Sequence, residues 1–378
     1  MDIYQRLALH LDNLPGGFPS TESGVELRIL KRLYTPDDAE LALHVTLIPE
    51  KSRLIARRAG INIAVAGQRL EEMARKGLIY GRYPKKGPPS YQAANYAVGI
   101  WEFQVNRLNN EFVQDMDEYW PTFFNLDTWE KAPQMRTIPV NESVNVLREV
   151  MIYEQAEELI RAYDRISLAP CICRQEHGLK GEVCEKPFET CMQFGSIADF
   201  YIHHGKGRMI TQQEALDVLH LANENGLVLQ PNNSRDAAFL CCCCGCCCAV
   251  LRNIKRHPRP ASIVTTPFIA GINAETCSGC MTCIDRCQME AIKVNSGKVF
   301  IDKDRCIGCG LCVSKCPDHI LVLLRKPLSE QKEVPKSLYQ TYIRIGRNRS
   351  KLSTGGMIGM LIRSKLDRLM TTKCRQPH

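Results

Sequence analysis

Between Cys277 and Cys316 the chain writes one four-cysteine run twice: Cys277-x2-Cys280-x2-Cys283-x3-Cys287 and, 29 residues further on, Cys306-x2-Cys309-x2-Cys312-x3-Cys316, closed by Pro317. Three thiolates at i, i+3 and i+6 on one tight loop reach three irons of a cubane. The fourth cysteine lies too far around the loop and ligates the other cluster. On this logic Cys277, Cys280, Cys283 and Cys316 hold one 4Fe–4S centre, and Cys306, Cys309, Cys312 and Cys287 hold a second. CxxC pairs also suit tetrahedral zinc. Zinc, however, asks for two pairs at a looser separation, not a third cysteine at i+6 in a duplicated unit. The chemistry expected here is one-electron transfer.

The stretch 266–327 resembles the bacterial dicluster ferredoxin domain, and the resemblance implies a one-electron relay. One position departs from that pattern: Gln288 follows Cys287 where the family often has proline. Between the two ligand loops, 291–294 and 298–301 read as a hairpin around Asn295-Ser296-Gly297. Gly279, Gly308 and Gly310 sit between ligands, where bare backbone approaches inorganic sulfide. Pro317 stops a helix after Cys316, and 320–324 returns as a strand.

Eight of the chain's twenty cysteines are thereby used. In a small secreted protein twenty cysteines would suggest disulfides, but 378 residues with 44% hydrophobic content build several cores. The start, Met1-Asp2-Ile3-Tyr4-Gln5-Arg6, has no apolar signal region. The expectation is a reducing cytoplasm with free thiols. No apolar run has transmembrane length. The net charge of +8 is uneven, with a basic block from Lys51 to Lys86 and another from Lys332 to Arg375. Such blocks suit nucleic acid, anionic lipid or an acidic redox partner.

Residues 36–100 read as helices at 37–45 and 52–59, a turn at Gly60, and a helix capped by Asn62 and running to Lys76. Strand-like residues around Tyr80 and Tyr83, a Lys85-Lys86-Gly87-Pro88-Pro89 turn and a return from Tyr91 to Ile100 follow. The order resembles the winged-helix domains of small transcription regulators. On the third helix Ile63, Ala66, Leu70 and Met73 should be core, leaving Ala64, Gly67, Gln68, Glu71, Glu72 and Arg75 outward. Two acids stand where phosphates would approach, and only Gln68 and Arg75 offer to read bases. A docking module is preferred to a DNA reader. Residues 102–165 read as a connector that turns helical over 142–163, with Trp101, Trp120 and Trp129 as packing anchors.

A second cysteine-rich region opens at Pro170-Cys171-Ile172-Cys173-Arg174, adds Cys184 and Cys191, and ends in Cys241-Cys242-Cys243-Cys244-Gly245-Cys246-Cys247-Cys248. A capping box, Thr211-x-x-Glu214, opens a helix between the groups. Two arrangements are open. Either Cys171, Cys173, Cys184 and Cys191 ligate a third centre alone, or some of them join the 241–248 run around an iron–sulfur cluster or zinc. Adjacent cysteines point in different directions, so one centre does not use the whole run, and the remainder packs as small hydrophobes. Cys243-Cys244-Gly245 resembles the cysteine-rich motif of heterodisulfide reductase subunits over those three residues. Taken whole, the chain resembles anaerobe proteins that join a four-iron ferredoxin domain to an N-terminal winged helix. Arg174, His177 and Arg208 are read as ordinary solvated side chains.

The basic tail ends in an apolar-faced helix over 357–370, suited to a membrane surface or to docking, and Cys374 is read as a free thiol. The fold class expected is α+β multidomain: a winged helix (1–101), a helical connector (102–165), a central helical cysteine-rich domain (166–265), a ferredoxin-like dicluster domain (266–327) and the tail (328–378). The function expected is an iron–sulfur electron-transfer protein with two 4Fe–4S clusters and an additional iron–sulfur or zinc centre, serving a partner oxidoreductase. The alternatives are a redox-responsive transcription regulator that uses the winged helix on DNA, and a redox enzyme with its centre in 171–248.

Overall fold

The computed structural model describes residues 1–140, 143, 150–272, 277–295, 298–352 and 354–373. The chain is a mixed α+β protein with several small sheets. It divides into two compact units: Met1–Asn125 with Asp199–Lys206 and Tyr342–His378, and Leu126–Ala198 with Gly207–Thr341. These units cut across the five segments drawn from the sequence.

In the first unit, capping chemistry sets the helix starts. Asp2 and Gln5 form a reciprocal box ahead of Ile3–Asp12, as do Thr35 and Asp38 ahead of Pro36–Ala42. Asn62 accepts from Ala64 and Val65 to start Ile63–Arg75, and Gly60 ends Ser52–Ala59 at φ 66°. Three short strands, β1 (Glu50–Lys51), β2 (Tyr80–Arg82) and β3 (Ser90–Gln92), pair antiparallel in the order β1-β3-β2. The expected helices and the two strands after them are present, but β1 was not expected and the returning strand stops at Gln92, the backbone at Ala97–Gly99 being non-helical.

Ala66, Leu70 and Met73 are buried, but Ile63 is 52% exposed. It follows the cap directly, so it lies a turn ahead of the packed stretch of its helix. Trp101 and Trp120 meet edge to face at 5.5 Å in an aromatic core. The helix Thr354–Lys373 docks by its polar side: Ser364 donates to Glu50 at 2.7 Å and Asp367 faces Arg58. Ile358, Leu361, Ile362, Leu366 and Leu369 stay 48–54% exposed.

The second unit corrects the expectation of a helical cysteine-rich domain. Its frame is an antiparallel five-stranded sheet, β6-β4-β5-β8-β7, made of β4 (Ile166–Pro170), β5 (Glu189–Phe194), β6 (Arg208–Ile210), β7 (Val228–Pro231) and β8 (Phe239–Cys243). Ile166, Ser167, Leu168 and Ala169 are all buried, so β4, an inner strand, is covered on both faces. A short apolar run of that kind carries no period by which to tell strand from helix. The helix Gln212–Glu224 starts at the expected box of Thr211 and Glu214.

Of the helix read over 142–163, residues 142 and 144–149 lie outside the described residues, and the described part forms only Ile152–Glu154 and Ala156–Arg161. Trp129 is buried in this unit. The C-terminal part adds two antiparallel pairs: β9 (Phe268–Ile272) with β12 (Leu321–Arg325), and β10 (Ile292–Asn295) with β11 (Lys298–Ile301). The last pair is the hairpin read from the sequence, its turn at Ser296-Gly297 lying outside the described residues, as does Cys374. No helix precedes Pro317; turns occupy that stretch.

Candidate metal centres

Gly279 and Gly308 stand at the same place in the two ligand runs, two residues past the first cysteine. Both adopt left-handed φ, 73° and 64°, as does Gly310 at 74°. Glycine takes this conformation without the Cβ penalty, and it folds each run tightly enough for three sulfurs to converge. Around Cys283 stand Cys280, Cys316 and Cys277. Around Cys309 stand Cys287 and Cys306, and Cys312 faces those three together with Cys283 of the other set. The two sets are therefore neighbours.

Cys287, Cys306, Cys309 and Cys312 line one cavity, partly open to solvent, whose other walls include Ala270, Ala291, Ile292, Ile301 and Leu311. The Ala270 amide donates to Cys306 Sγ at 3.4 Å and the Ala291 amide to Cys287 Sγ at 3.2 Å. Burial pushes the Cys309 thiol up to about 12, with Cys287 and Cys306 adding to the rise. Burial raises Cys306 and Cys312 as well, so these thiols become thiolate most readily against bound cationic iron. The residues present fit a 4Fe–4S cluster.

Upstream, the structure resolves the arrangement that the sequence left open. Cys171, Cys173, Cys184 and Cys191 do not converge alone. Cys184 joins Cys244, Cys246 and Cys247, with all four sulfurs within 4.8 Å of one another. Cys184 lies 3.9 Å from Cys244 and 3.8 Å from Cys246, and Cys246 lies 3.6 Å from Cys247. A tetrahedral ion with metal–sulfur bonds of about 2.3 Å sets its ligand sulfurs about 3.8 Å apart. The set therefore matches one tetrahedral ion, whereas a cubane spreads its four cysteines over separate irons. Cys244 is held down to about 4, first by the Cys247 thiol that hydrogen-bonds to it and then by Arg174.

Cys191 and Cys241 meet separately, their sulfurs 3.8 Å apart. Alternation along β8 turns Cys242 to the opposite face, where it pairs in register with Leu229 and is buried in the core. Arg174 is no ordinary solvated side chain: it is 4% exposed, donates to Thr190, Pro187 and the Cys242 carbonyl, and faces Cys171, Cys243 and Cys244. His177, equally buried, is taken up by Glu182 at 2.7 Å and Arg252 at 2.8 Å. Arg208 pairs with Glu189 and Glu214.

Gln288, singled out because it replaces a proline, has a role the sequence did not show. Its Oε1 accepts the Gly245 amide at 2.6 Å. A Cβ at position 245 would come within 2.7 Å of the Gln288 carbonyl oxygen, so the loop needs glycine there for space. The residue after Cys287 thus touches the residue between Cys244 and Cys246. Arg286 and Lys315 fasten the same ligand loops to Asn223 and Glu224.

A further group went unread because its members are 132 residues apart: in the first unit, Glu71 lies 3.2 Å from His203 Nε2, and both Tyr83 and Tyr91 donate to its carboxylate. His204 accepts or donates with Tyr83 at 2.8 Å and is lowered to about 4, chiefly by burial. These groups satisfy one another as a polar knot.

Among the described residues, no helix is long and apolar enough to cross a membrane. No curated protein and no solved structure matches the chain, and no comparison supports a winged-helix family for the N-terminal segment. Residues 269–317, which contain all eight duplicated cysteines, match the family model of the 4Fe-4S dicluster domain.

Proposed function

We propose that this chain is an electron-transfer protein that relays single electrons through two 4Fe–4S clusters to or from a partner oxidoreductase. Cys277, Cys280, Cys283 and Cys316 would hold the first cluster, and Cys306, Cys309, Cys312 and Cys287 the second. The observation that carries the reading is that Cys287 of the first run and Cys306, Cys309 and Cys312 of the second line one cavity within the stretch that matches the dicluster family model. When bound, the clusters supply the one-electron couple. The chain's own part is to hold the sulfurs, donate amides to them and exclude water with Ala270, Ala291 and Ile292. The four-thiol set of Cys184, Cys244, Cys246 and Cys247 is read as a further metal site, joined to the residue after Cys287 by the bond from Gly245 to Gln288.

The first unit and the exposed apolar face of its last helix would serve as docking surfaces for the protein partner. In the alternative reading, a redox-responsive regulator, the basic block would meet DNA phosphates. Arg58, Arg69, Arg75 and Lys76 are instead matched to Glu50, Asp37, Glu72 and Asp38, which weighs against that reading. A potentiometric titration of anaerobically purified protein, followed by visible absorbance and EPR, tests the relay. One-electron waves of 4Fe–4S type are expected, and a protein with no reducible chromophore would overturn the proposal. Salt-dependent, sequence-selective DNA retention would favour the regulator.

A further inference from the structure

The knot around Glu71 brings together the donor set of a metal site. Glu71 stands on the helix Ile63–Arg75, and His203 and His204 come from the segment Asp199–Lys206, which belongs to the first unit. One oxygen of Glu71 and one ring nitrogen of each histidine all lie within 4.8 Å of one another. Glu71 Oε1 and His203 Nε2 stand 3.2 Å apart. The Tyr83 hydroxyl touches the Glu71 carboxylate at 3.1 Å and His204 Nε2 at 2.8 Å, so carboxylate and imidazole converge on one point. The rings are fixed in place: Tyr83 stacks on His203 at 3.9 Å, and Phe200 meets His204 edge to face at 4.8 Å. Phe200 is itself fully buried against Tyr80 and Phe103, and Lys206 donates to the Phe103 carbonyl at 2.8 Å, which pins the segment that carries both histidines. Tyr91 donates to Glu71 Oε2 at 2.9 Å and orients the carboxylate with Oε1 toward His203.

We propose that Glu71, His203 and His204 form a mononuclear site for a first-row divalent ion such as zinc(II) or iron(II). Two imidazoles and one carboxylate are a donor set that takes these ions. Donors on one ion, at bonds of about 2.1 Å, stand about 3.0–3.4 Å apart. Glu71 and His203 already have that spacing, and a small rotation of the His204 ring brings the third donor onto the same ion. The ion takes the place of the protons that these groups now share, one between His203 and Glu71 and one that Tyr83 holds between Glu71 and His204. Each imidazole binds through a lone pair, so no electron transfer and no co-reactant enters the step. Tyr91 keeps its bond to the second carboxylate oxygen and holds the ligand in place, the part that outer hydrogen bonds play at metal sites. Three protein ligands leave a position for water, and the side chains of His203 and Glu71 are 48% and 39% exposed, so that position opens to solvent. The site uses none of the chain's cysteines and stands apart from both the dicluster and the four-thiol readings.

The test uses the full chain, purified anaerobically, with zinc(II) as the probe. Bound zinc is counted by elemental analysis after excess metal is removed, its affinity is read against a chromophoric chelator, and acid-labile sulfide is counted in parallel. Glu71→Gln, His203→Ala and His204→Ala should each bind one zinc ion fewer than the wild type, with sulfide unchanged. Combined with Cys184→Ser, which removes the four-thiol ion, each should lose two. Tyr91→Phe should keep the ion and bind it about 10–100-fold more weakly. Wild-type zinc count and affinity in the glutamate and histidine variants would overturn the proposal. Should those variants fail to fold, modification of the wild-type protein by diethylpyrocarbonate decides. Zinc should protect His203 and His204 while His220, 71% exposed, is labelled as before, and equal labelling of His203 and His204 with and without zinc would refute the site.

Discussion

Gly308→Ala, set against Gly279→Ala, turns the sequence duplication into an experiment with its own control. The two glycines occupy equivalent positions and share a left-handed φ, which costs an alanine about 1–2 kcal/mol. They differ in what an added Cβ would meet. At Gly279 nothing lies within 4 Å, whereas at Gly308 the methyl would overlap the carbonyl oxygen of Phe268 and come within 2.7 Å of its carbon. Phe268 is fully buried and paired with Arg325 in the β9–β12 ladder, so relief requires a backbone shift of several tenths of an ångström. Overpacking of that kind costs about 1–3 kcal/mol, and it falls on β9, whose Ala270 amide donates to Cys306. The total for Gly308→Ala is about 2–5 kcal/mol, concentrated on the second cluster's loop. Iron and acid-labile sulfide should fall by about half in G308A and stay near the wild-type count in G279A. Equal retention in both variants would refute the argument that β9 closes over the second cluster.

The four-thiol set should lose its metal ion in Cys184→Ser while sulfide is unchanged; a parallel drop in sulfide would contradict the separation of the two sites. Gln288→Ala removes one hydrogen bond, worth about 0.5–1.5 kcal/mol, and should weaken metal retention by Cys184, Cys244, Cys246 and Cys247 several-fold in a chelator competition. Burial raises the Glu102 carboxyl from the ordinary 4.5 to about 7, so the folded state holds a proton that the unfolded chain has released. Stability should therefore fall as pH rises from 4.5 to about 7, and Glu102→Gln should flatten that slope in thermal unfolding scans.

Local chemistry made much of this legible. The duplicated spacing marked the stretch that matches the dicluster family model, and the caps at Asn62 and Thr211 placed two helices, because ligand loops and helix caps are written within a few residues. The partition of the other eleven thiols was hidden for the opposite reason. Cys191 meets Cys241 through a strand register set by tertiary pairing, and Cys184 reaches Cys244 across 60 residues. The sheet itself was obscured because β4 is buried on both faces and shows no alternation. Gln288 was visible as an oddity, but its partner Gly245 is 43 residues away and no local signal links them.

The most direct test of the electron-transfer account is the acid-labile sulfide of anaerobically purified full-length protein, counted with its iron. Thiolate sites contain no inorganic sulfide, so this measurement isolates the clusters from every other metal in the chain. Two 4Fe–4S clusters predict about eight sulfides and at least eight irons per chain, with a reduced-state EPR signal. Fewer than about four irons, or iron without sulfide, would contradict the account at its centre.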